Sequence, residues 1–163
     1  MKSRRRARES ALQALYQCDT LEDWSEAAVE LYFKVYQAEA LAVEDQAERE
    51  NLEFARALIM GVAARLEEID GKLSGASTRW SINRMCRVDR NILRLAAYEI
   101  AFLADIPVNV TINEAIEIAK RYGTDDSPMF INGVLDNVAS VWLAPGKKAS
   151  NGGMPEPRKA AVG

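Results

Sequence analysis

Apolar residues recur through most of this chain at the three- and four-residue spacing of an amphipathic helix. No segment shows the sustained alternation of apolar and polar residues that a half-buried strand requires. The pattern predicts helices over residues 4–20, 25–43, 48–73, 87–104, 111–123 and 127–142, and a short helical turn at 80–85. We therefore expect an all-α fold, a compact bundle of about six to seven helices.

The first two helices have apolar stripes that should face the core. In the first helix the stripe consists of Ala7, Ala11, Leu12, Leu15 and Cys18. In the second helix it consists of Ala28, Leu31, Tyr32 and Val35. The 87–104 helix is the most apolar in the chain and should be central. Glu99 lies in its apolar face, and a carboxylate there needs a partner, so a buried structural anchor is favoured over a catalytic role.

The segment 107–142 predicts a helical hairpin. Thr111 and Glu114 have capping-box spacing at the start of one helix, and Gly123 would end it in the left-handed conformation. Ser127 is placed as the N-cap of the next helix, with Pro128 at its first position. The core stripe of that second helix is Ile131, Val134, Leu135, Val138 and Trp142.

The size of the chain and its residue types limit the function. A length of 163 residues with 48% hydrophobic content suits one domain, placed at 9–144 between a basic arm at 1–8 and a disordered tail at 145–163. The absence of histidine excludes Ser-His and Cys-His nucleophile pairs, and neither Cys18 nor Cys86 has metal-ligand spacing. No Gly-rich phosphate loop is found. We therefore expect a cytoplasmic protein that is not an enzyme and has no cofactor, no metal and no membrane span.

Positive charge is concentrated at the amino terminus. Residues 2–8 contain five of the 21 bases and no acid, whereas residues 9–75 contain five bases and fifteen acids. Such an arm suits nucleic acid, because arginines release counterions when they contact phosphates. The candidate RNA-binding residues are Lys2, Arg4, Arg5, Arg6, Arg8, Gln13 and Tyr16. A continuous helix would turn Arg4 and Arg8 towards the core, so we expect the first turn to project beyond it and leave the arginines free.

Alternative interpretations remain for these residues. A short basic terminus can simply be solvated, and Tyr16 can be a border residue that packs on Leu12. A second cluster of basic and aromatic residues could extend the basic track, although solvated or ion-paired surface residues are the favoured interpretation. Its members are Arg79, Trp80, Arg84, Arg87, Arg90 and Arg94.

Four segments carry a resemblance to a known family. INEAIEIAKRYG, FINGVLDNVA, DRNILRLAAYEI and RRRARESALQALYQ, found in the family's order, resemble the NusB family of bacterial transcription antitermination factors. The resemblance implies two packed helical subdomains that bind boxA RNA together with NusE, a ribosomal small-subunit protein. It assigns the arm, Gln13 and Tyr16 to RNA, and Asp89, Asp126 and Phe130 to the partner and RNA surface. Residues 77–87 depart from the family pattern, so Asn83 inherits no acidic role.

The partners implied are single-stranded boxA-like RNA, NusE and the RNA polymerase antitermination complex, with the free protein either a monomer or a homodimer. Two alternatives stay open. One is a module like the RNA-binding domain fused to some RNA cytosine methyltransferases, which would need a further cofactor domain. The other is a helical interaction module whose basic arm binds an acidic protein.

Overall fold

The structure is a computed structural model that describes residues 2–40, 45–78 and 80–147, with side chains described for residues 4–35, 45–78 and 80–147. The described residues form seven α-helices and one short 3-10 helix, and they contain no strand. The helices are α1 (Lys2–Leu21), α2 (Glu26–Ala40), α3 (Gln46–Ala64), α4 (Leu66–Ala76), α5 (Arg87–Phe102), α6 (Val108–Tyr122) and α7 (Ser127–Val141); the 3-10 helix is Ile82–Arg84. The all-α prediction is confirmed.

Helix α5 is the central element, as its composition predicted. It packs against α1, α3, α4, α6 and α7. Its residues from Asn91 to Ala97 are all buried, including the two polar side chains of Asn91 and Arg94. Helices α1, α2 and α3 pack together on one side of α5, and α6 and α7 pack together on another. The most apolar helix is therefore the one that both groups of helices share.

The predicted helix at 48–73 is two helices. The chain leaves helical geometry at Arg65, whose φ of −121° and ψ of 22° separate α3 from α4. Helix α3 packs mainly on α1, whereas α4 packs on α5 and α7. A straight helix could not present its stripe to both surfaces, so packing decides a break that no glycine or proline marks. Helix α4 then continues past Gly71 to Ala76.

The core face of α2 differs from the prediction. Leu31 and Val35 are 53% and 62% exposed, whereas Val29 and Phe33 are buried together with Tyr32. Tyr32 donates its hydroxyl proton to the carbonyl of Ser10 at 3.1 Å, which fixes the side of α2 that faces α1. The predicted stripe was displaced because an isolated wheel cannot show which side its neighbours occupy.

The helical hairpin is present, but two of its end signals act differently from the prediction. Helix α6 begins at Val108, immediately after Pro107, so Thr111 lies inside the helix and the predicted capping box is wrong. Gly123 follows α6 as predicted, but its φ is −93°, which is not left-handed. A Cβ at this position would lie 2.5 Å from Ser127 Oγ and 2.9 Å from the carbonyl oxygen of Ala119. The glycine is therefore required by close packing in the turn.

Helix α7 has the predicted core stripe. Ile131, Val134, Leu135 and Val138 are buried. Trp142 is half-buried just after the helix and packs edge-on against Phe102, with 5.3 Å between ring centroids. Asp126 occupies the N-cap position predicted for Ser127, whose hydroxyl instead accepts the N–H of Thr124 at 2.9 Å. None of the described helices is long and apolar enough to cross a membrane.

Candidate nucleic-acid interface

The outward face of α1 carries a row of polar and aromatic side chains. Arg6, Gln13 and Tyr16 are exposed, while Ala7, Ala11, Leu12, Ala14, Leu15 and Cys18 are buried on the opposite side. At 1.5 Å per residue, Arg6 and Tyr16 lie about 15 Å apart along the helix axis. The core stripe predicted for this helix is confirmed, and the exposed row follows from it.

Two arginines of the arm are held by carboxylates, which contradicts the expectation that the first turn leaves them free. Arg8 is only 4% exposed, and its Nε and Nη2 donate to the two carboxylate oxygens of Glu99 at 2.9 and 2.7 Å. Glu99 is 1% exposed and also accepts the hydroxyl proton of Thr111 at 3.1 Å. Glu99 is thus the buried structural anchor that the sequence favoured. Arg8 is its partner, since a charge in the core needs a compensating charge.

Arg5 is the second paired arginine. Its Nε and Nη2 donate to Glu114 Oε2 and Oε1 at 2.7 and 3.0 Å. The hydrogen bond to Glu114 raises the pKa of Arg5, and the same bond lowers the pKa of Glu114. Helix α6 therefore fixes the start of α1 from one side.

Arg4 and Arg6 keep their donors available. Both are exposed, and neither side chain makes a hydrogen bond or ion pair with the described residues. The guanidinium of Arg4 lies 4.8 Å from the centroid of the Phe54 ring, which orients it without using its N–H groups. The side chain of Lys2 lies outside the described residues. Arg4 and Arg6 are consequently the described arm residues best placed to contact phosphates.

Tyr16 ends the exposed row beside a cation from another helix. The Tyr16 side chain is 41% exposed, and the guanidinium of Arg87 lies 5.8 Å from its ring centroid. Arg87 belongs to the second cluster, which the sequence interpretation treated as ordinary surface. An exposed ring beside a cation is a common arrangement for binding unpaired bases.

The rest of the second cluster is largely used inside the protein. Arg90 donates to both carboxylate oxygens of Asp19 at 2.6 and 2.9 Å, and Arg94 donates to both oxygens of Asp70 at 2.8 Å. Burial would raise the pKa of Asp19, but hydrogen bonds from Arg90 and Asn91, with the charge of Arg94, outweigh burial and leave the pKa lowered. The favoured interpretation is confirmed for these two arginines. Arg79 lies outside the described residues.

The three residues assigned to the partner surface line one open groove of about 950 Å³ between the start of α5 and α7. They are Asp89, Asp126 and Phe130, and the groove brings them together from two helices and the turn before α7. The sequence interpretation missed Trp80 and Met129, which line the same groove and are 49% and 84% exposed. The signal for Met129 was available, because it stands beside Phe130 at a position outside the core stripe.

Carboxylates give this groove its electrostatic character. Asp89 is 8% exposed, and its Oδ1 has no hydrogen-bond partner among the described residues. Burial raises the pKa of Asp89, and a hydrogen bond from Ser127 opposes that rise in part. Burial also raises the pKa of Asp136, another residue of the lining. The groove therefore suits a ligand that brings hydrogen-bond donors or positive charge together with an apolar group.

The two candidate surfaces adjoin at the first turn of α5. Cys86 lines the groove, and the next residue, Arg87, contacts Tyr16 at the end of the α1 row. The described residues include no group of three or more metal-ligating side chains. What the geometry offers is a binding track along α1 that ends at the rim of an acidic groove.

Comparisons with known proteins identify the relatives of this chain. The family model of the NusB family matches residues 5–140. The transcription antitermination protein NusB of Geobacter sulfurreducens is 50% identical over 141 residues, which cover 86% of this chain and 96% of that protein. The NusB of Anaeromyxobacter sp. strain Fw109-5 is 47% identical over 137 residues, covering 84% of this chain and 90% of the relative.

Solved structures agree with these relatives. T. maritima NusB superposes with a TM-score of 0.73 at 41% identity, covering 86% of this chain and 92% of that one. A crystal structure of the antitermination factors NusB and NusE in complex with dsRNA contains a chain that superposes with a TM-score of 0.71 at 27% identity. This match covers 87% of the present chain and 99% of the other.

Proposed function

This chain belongs to the NusB family, and we propose on that premise that it is a transcription antitermination factor that binds boxA-type RNA together with NusE. It acts by assembly and has no catalytic step: the α1 row holds the RNA, and NusE occupies the neighbouring groove and tethers the complex to RNA polymerase. We place this activity in the bacterial cytoplasm, where nascent transcripts are made.

The observation that carries the RNA assignment is the row on α1. Arg4 and Arg6 have unpaired guanidinium groups at one end, and Gln13 and the exposed Tyr16 ring follow on the same side. Cations that contact phosphates, an amide that can pair with a base edge and a ring for stacking together suit single-stranded RNA. The bulk of the protein is acidic, so a long nucleic acid would be repelled elsewhere and the contact should be local.

The groove supports the NusE assignment. Its lining combines the Phe130 ring and the exposed Met129 with the carboxylates of Asp89 and Asp126. A ribosomal protein is typically basic, and a basic partner with an apolar anchor complements this lining. The groove adjoins the α1 row at Arg87, so one RNA strand could contact both proteins.

The RNA assignment is tested by a variant that removes only the unpaired arm cations. In Arg4→Gln/Arg6→Gln the affinity for boxA RNA should fall about 25-fold at 0.1 M salt, because each lost phosphate contact on a single strand lowers the salt exponent by about 0.7. Fluorescence anisotropy with labelled RNA over a salt series measures both quantities. Changing Arg8 as well would confuse the result, because Arg8 is part of the core.

The matched control is Lys34→Gln/Arg49→Gln, which removes two exposed positive charges from α2 and α3. Equal RNA affinity for the arm variant and this control would refute the assignment of the arm. If the parent protein bound boxA RNA no better than an unrelated RNA, with and without NusE, the proposed function would be wrong.

A second experiment addresses the partner. Phe130→Ala should weaken NusE binding about tenfold in calorimetry, as expected when an aromatic anchor is truncated in an interface. Val141→Ala is the control, because Val141 is 73% exposed at the other end of the same helix, about 16 Å along its axis. Equal NusE affinity in the two variants would remove Phe130 from the interface.

A further inference from the structure

Arg87 is a cation whose hydrogen-bonding capacity is not used within the described residues. Its side chain is 40% exposed and donates no hydrogen bond there; its nearest carboxylate oxygen, Asp19 Oδ2, is 3.7 Å away. By contrast, the side chains of Arg90 and Arg94 are 13% and 7% exposed and are held by hydrogen bonds. Within one cluster the structure thus separates two internal arginines from one that faces outward.

The charge balance of the cluster also favours an external ligand for Arg87. Three guanidinium groups, those of Arg87, Arg90 and Arg94, surround Asp19 within 4 Å. Asp70 neutralises Arg94, and Asp19 is already bound by Arg90 through two hydrogen bonds. One positive charge is left over, and the most exposed member carries it. In a protein with a net charge of −3, such a local excess of positive charge needs an anion.

The neighbour of Arg87 indicates what kind of anion this is. Its guanidinium lies 5.8 Å from the centroid of the Tyr16 ring, which is 41% exposed. An acidic peptide would use the cation and have no need of the ring, whereas a nucleotide has both a phosphate for the cation and a base for the ring. Tyr16 also continues the row that starts at Arg6, so a strand lying along α1 reaches Arg87 after about 15 Å.

We propose that Arg87 binds a backbone phosphate of the RNA strand, next to a nucleotide whose base stacks on Tyr16. This inference rests on the proposed RNA-binding function and extends it to a residue of α5. The RNA track thereby has a second cationic end, separate from the amino-terminal arm and located at the rim of the acidic groove.

The test compares Arg87→Gln with Arg65→Gln in the full-length protein, with single-stranded boxA RNA as the probe. Arg65 is a close match: it is exposed, lies 4.2 Å from the centroid of the Phe102 ring and is loosely paired with Glu68 at 3.4 Å. Phe102 ends α5, about 22 Å along the axis from Arg87. Both variants lose one positive charge beside an aromatic ring.

In Arg87→Gln the RNA affinity should fall about fivefold at 0.1 M salt, and the plot of log K against log salt should become shallower by about 0.7. Arg87→Lys should keep the slope, since it retains the charge, and Arg65→Gln should match the parent. Thermal melts of the variants check that the fold is retained.

The outcomes separate the two proposals. If the parent binds RNA and Arg87→Gln has the same affinity and salt slope as Arg65→Gln, then Arg87 does not contact phosphate, and the proposed function stands without it. If the affinity falls but the slope is unchanged, the phosphate contact is wrong as well. If the parent binds no boxA RNA, both proposals fail together.

Discussion

The buried pair of Arg8 and Glu99 should contribute to folding and leave RNA binding unaffected. The two side chains are 4% and 1% exposed and are joined by two hydrogen bonds of 2.9 and 2.7 Å. Replacing Arg8 with Met leaves the Glu99 carboxylate buried with only the Thr111 hydroxyl as a side-chain partner. Breaking a buried pair in this way costs about 3–5 kcal/mol of unfolding free energy. For a domain of this size, that loss lowers the melting temperature by about 10 °C.

The measurement is a double-mutant cycle by urea denaturation. Arg8→Met and Glu99→Met should each be strongly destabilised, whereas Arg8→Met/Glu99→Met should recover most of the loss, because no uncompensated charge remains. Thr111 then lacks its acceptor, which leaves a residual cost of about 1 kcal/mol. Arg5→Met is the control, since the Arg5 side chain is 44% exposed in its pair and should cost at most about 1 kcal/mol.

Two results would refute this reasoning. One is a double variant as unstable as the sum of the single changes, which would show that the two side chains are not coupled. The other is a folded double variant that binds boxA RNA much more weakly than the parent, which would return Arg8 to the RNA-binding surface.

Three further predictions concern pH and packing. The lowered pKa of Asp19 means that its contribution to stability is present at neutral pH and is lost as the pH falls through the folded-state pKa, so melting temperatures should drop more steeply below about pH 5 in the parent than in Asp19→Asn. Asp89 has the opposite sign: its pKa is raised, so its favourable contribution exists at low pH and is lost as the pH rises, and Asp89→Asn should raise the melting temperature at pH 7 but not at pH 3. Gly123→Ala should cost about 1–3 kcal/mol in urea denaturation because its Cβ has no room, while Gly71→Ala, with open space around it in α4, should be neutral or slightly stabilising. Equal stability of these two alanine variants would contradict the packing argument.

The RNA-facing residues were only partly predictable. The sequence indicated which residue types could bind RNA and placed Gln13 and Tyr16 on the outer side of α1. It could not divide the arginines, because Arg8 and Arg6 look alike until the position of Glu99 is known. Arg87 was missed for the same reason: its contact with Tyr16 joins two helices that are 71 positions apart in the chain.

By itself the sequence determined the helices, because the period of apolar residues depends only on local geometry. It fixed the central place of α5 through its wide apolar face, the stripe of α7 and the need of Glu99 for a partner. Tertiary structure decided the identity of that partner, the break at Arg65 and the buried side of α2. It also joined Asp89, Asp126 and Phe130 in one groove. These features depend on contacts between helices, and the free energy of such contacts belongs to pairs of distant residues, which no local pattern records.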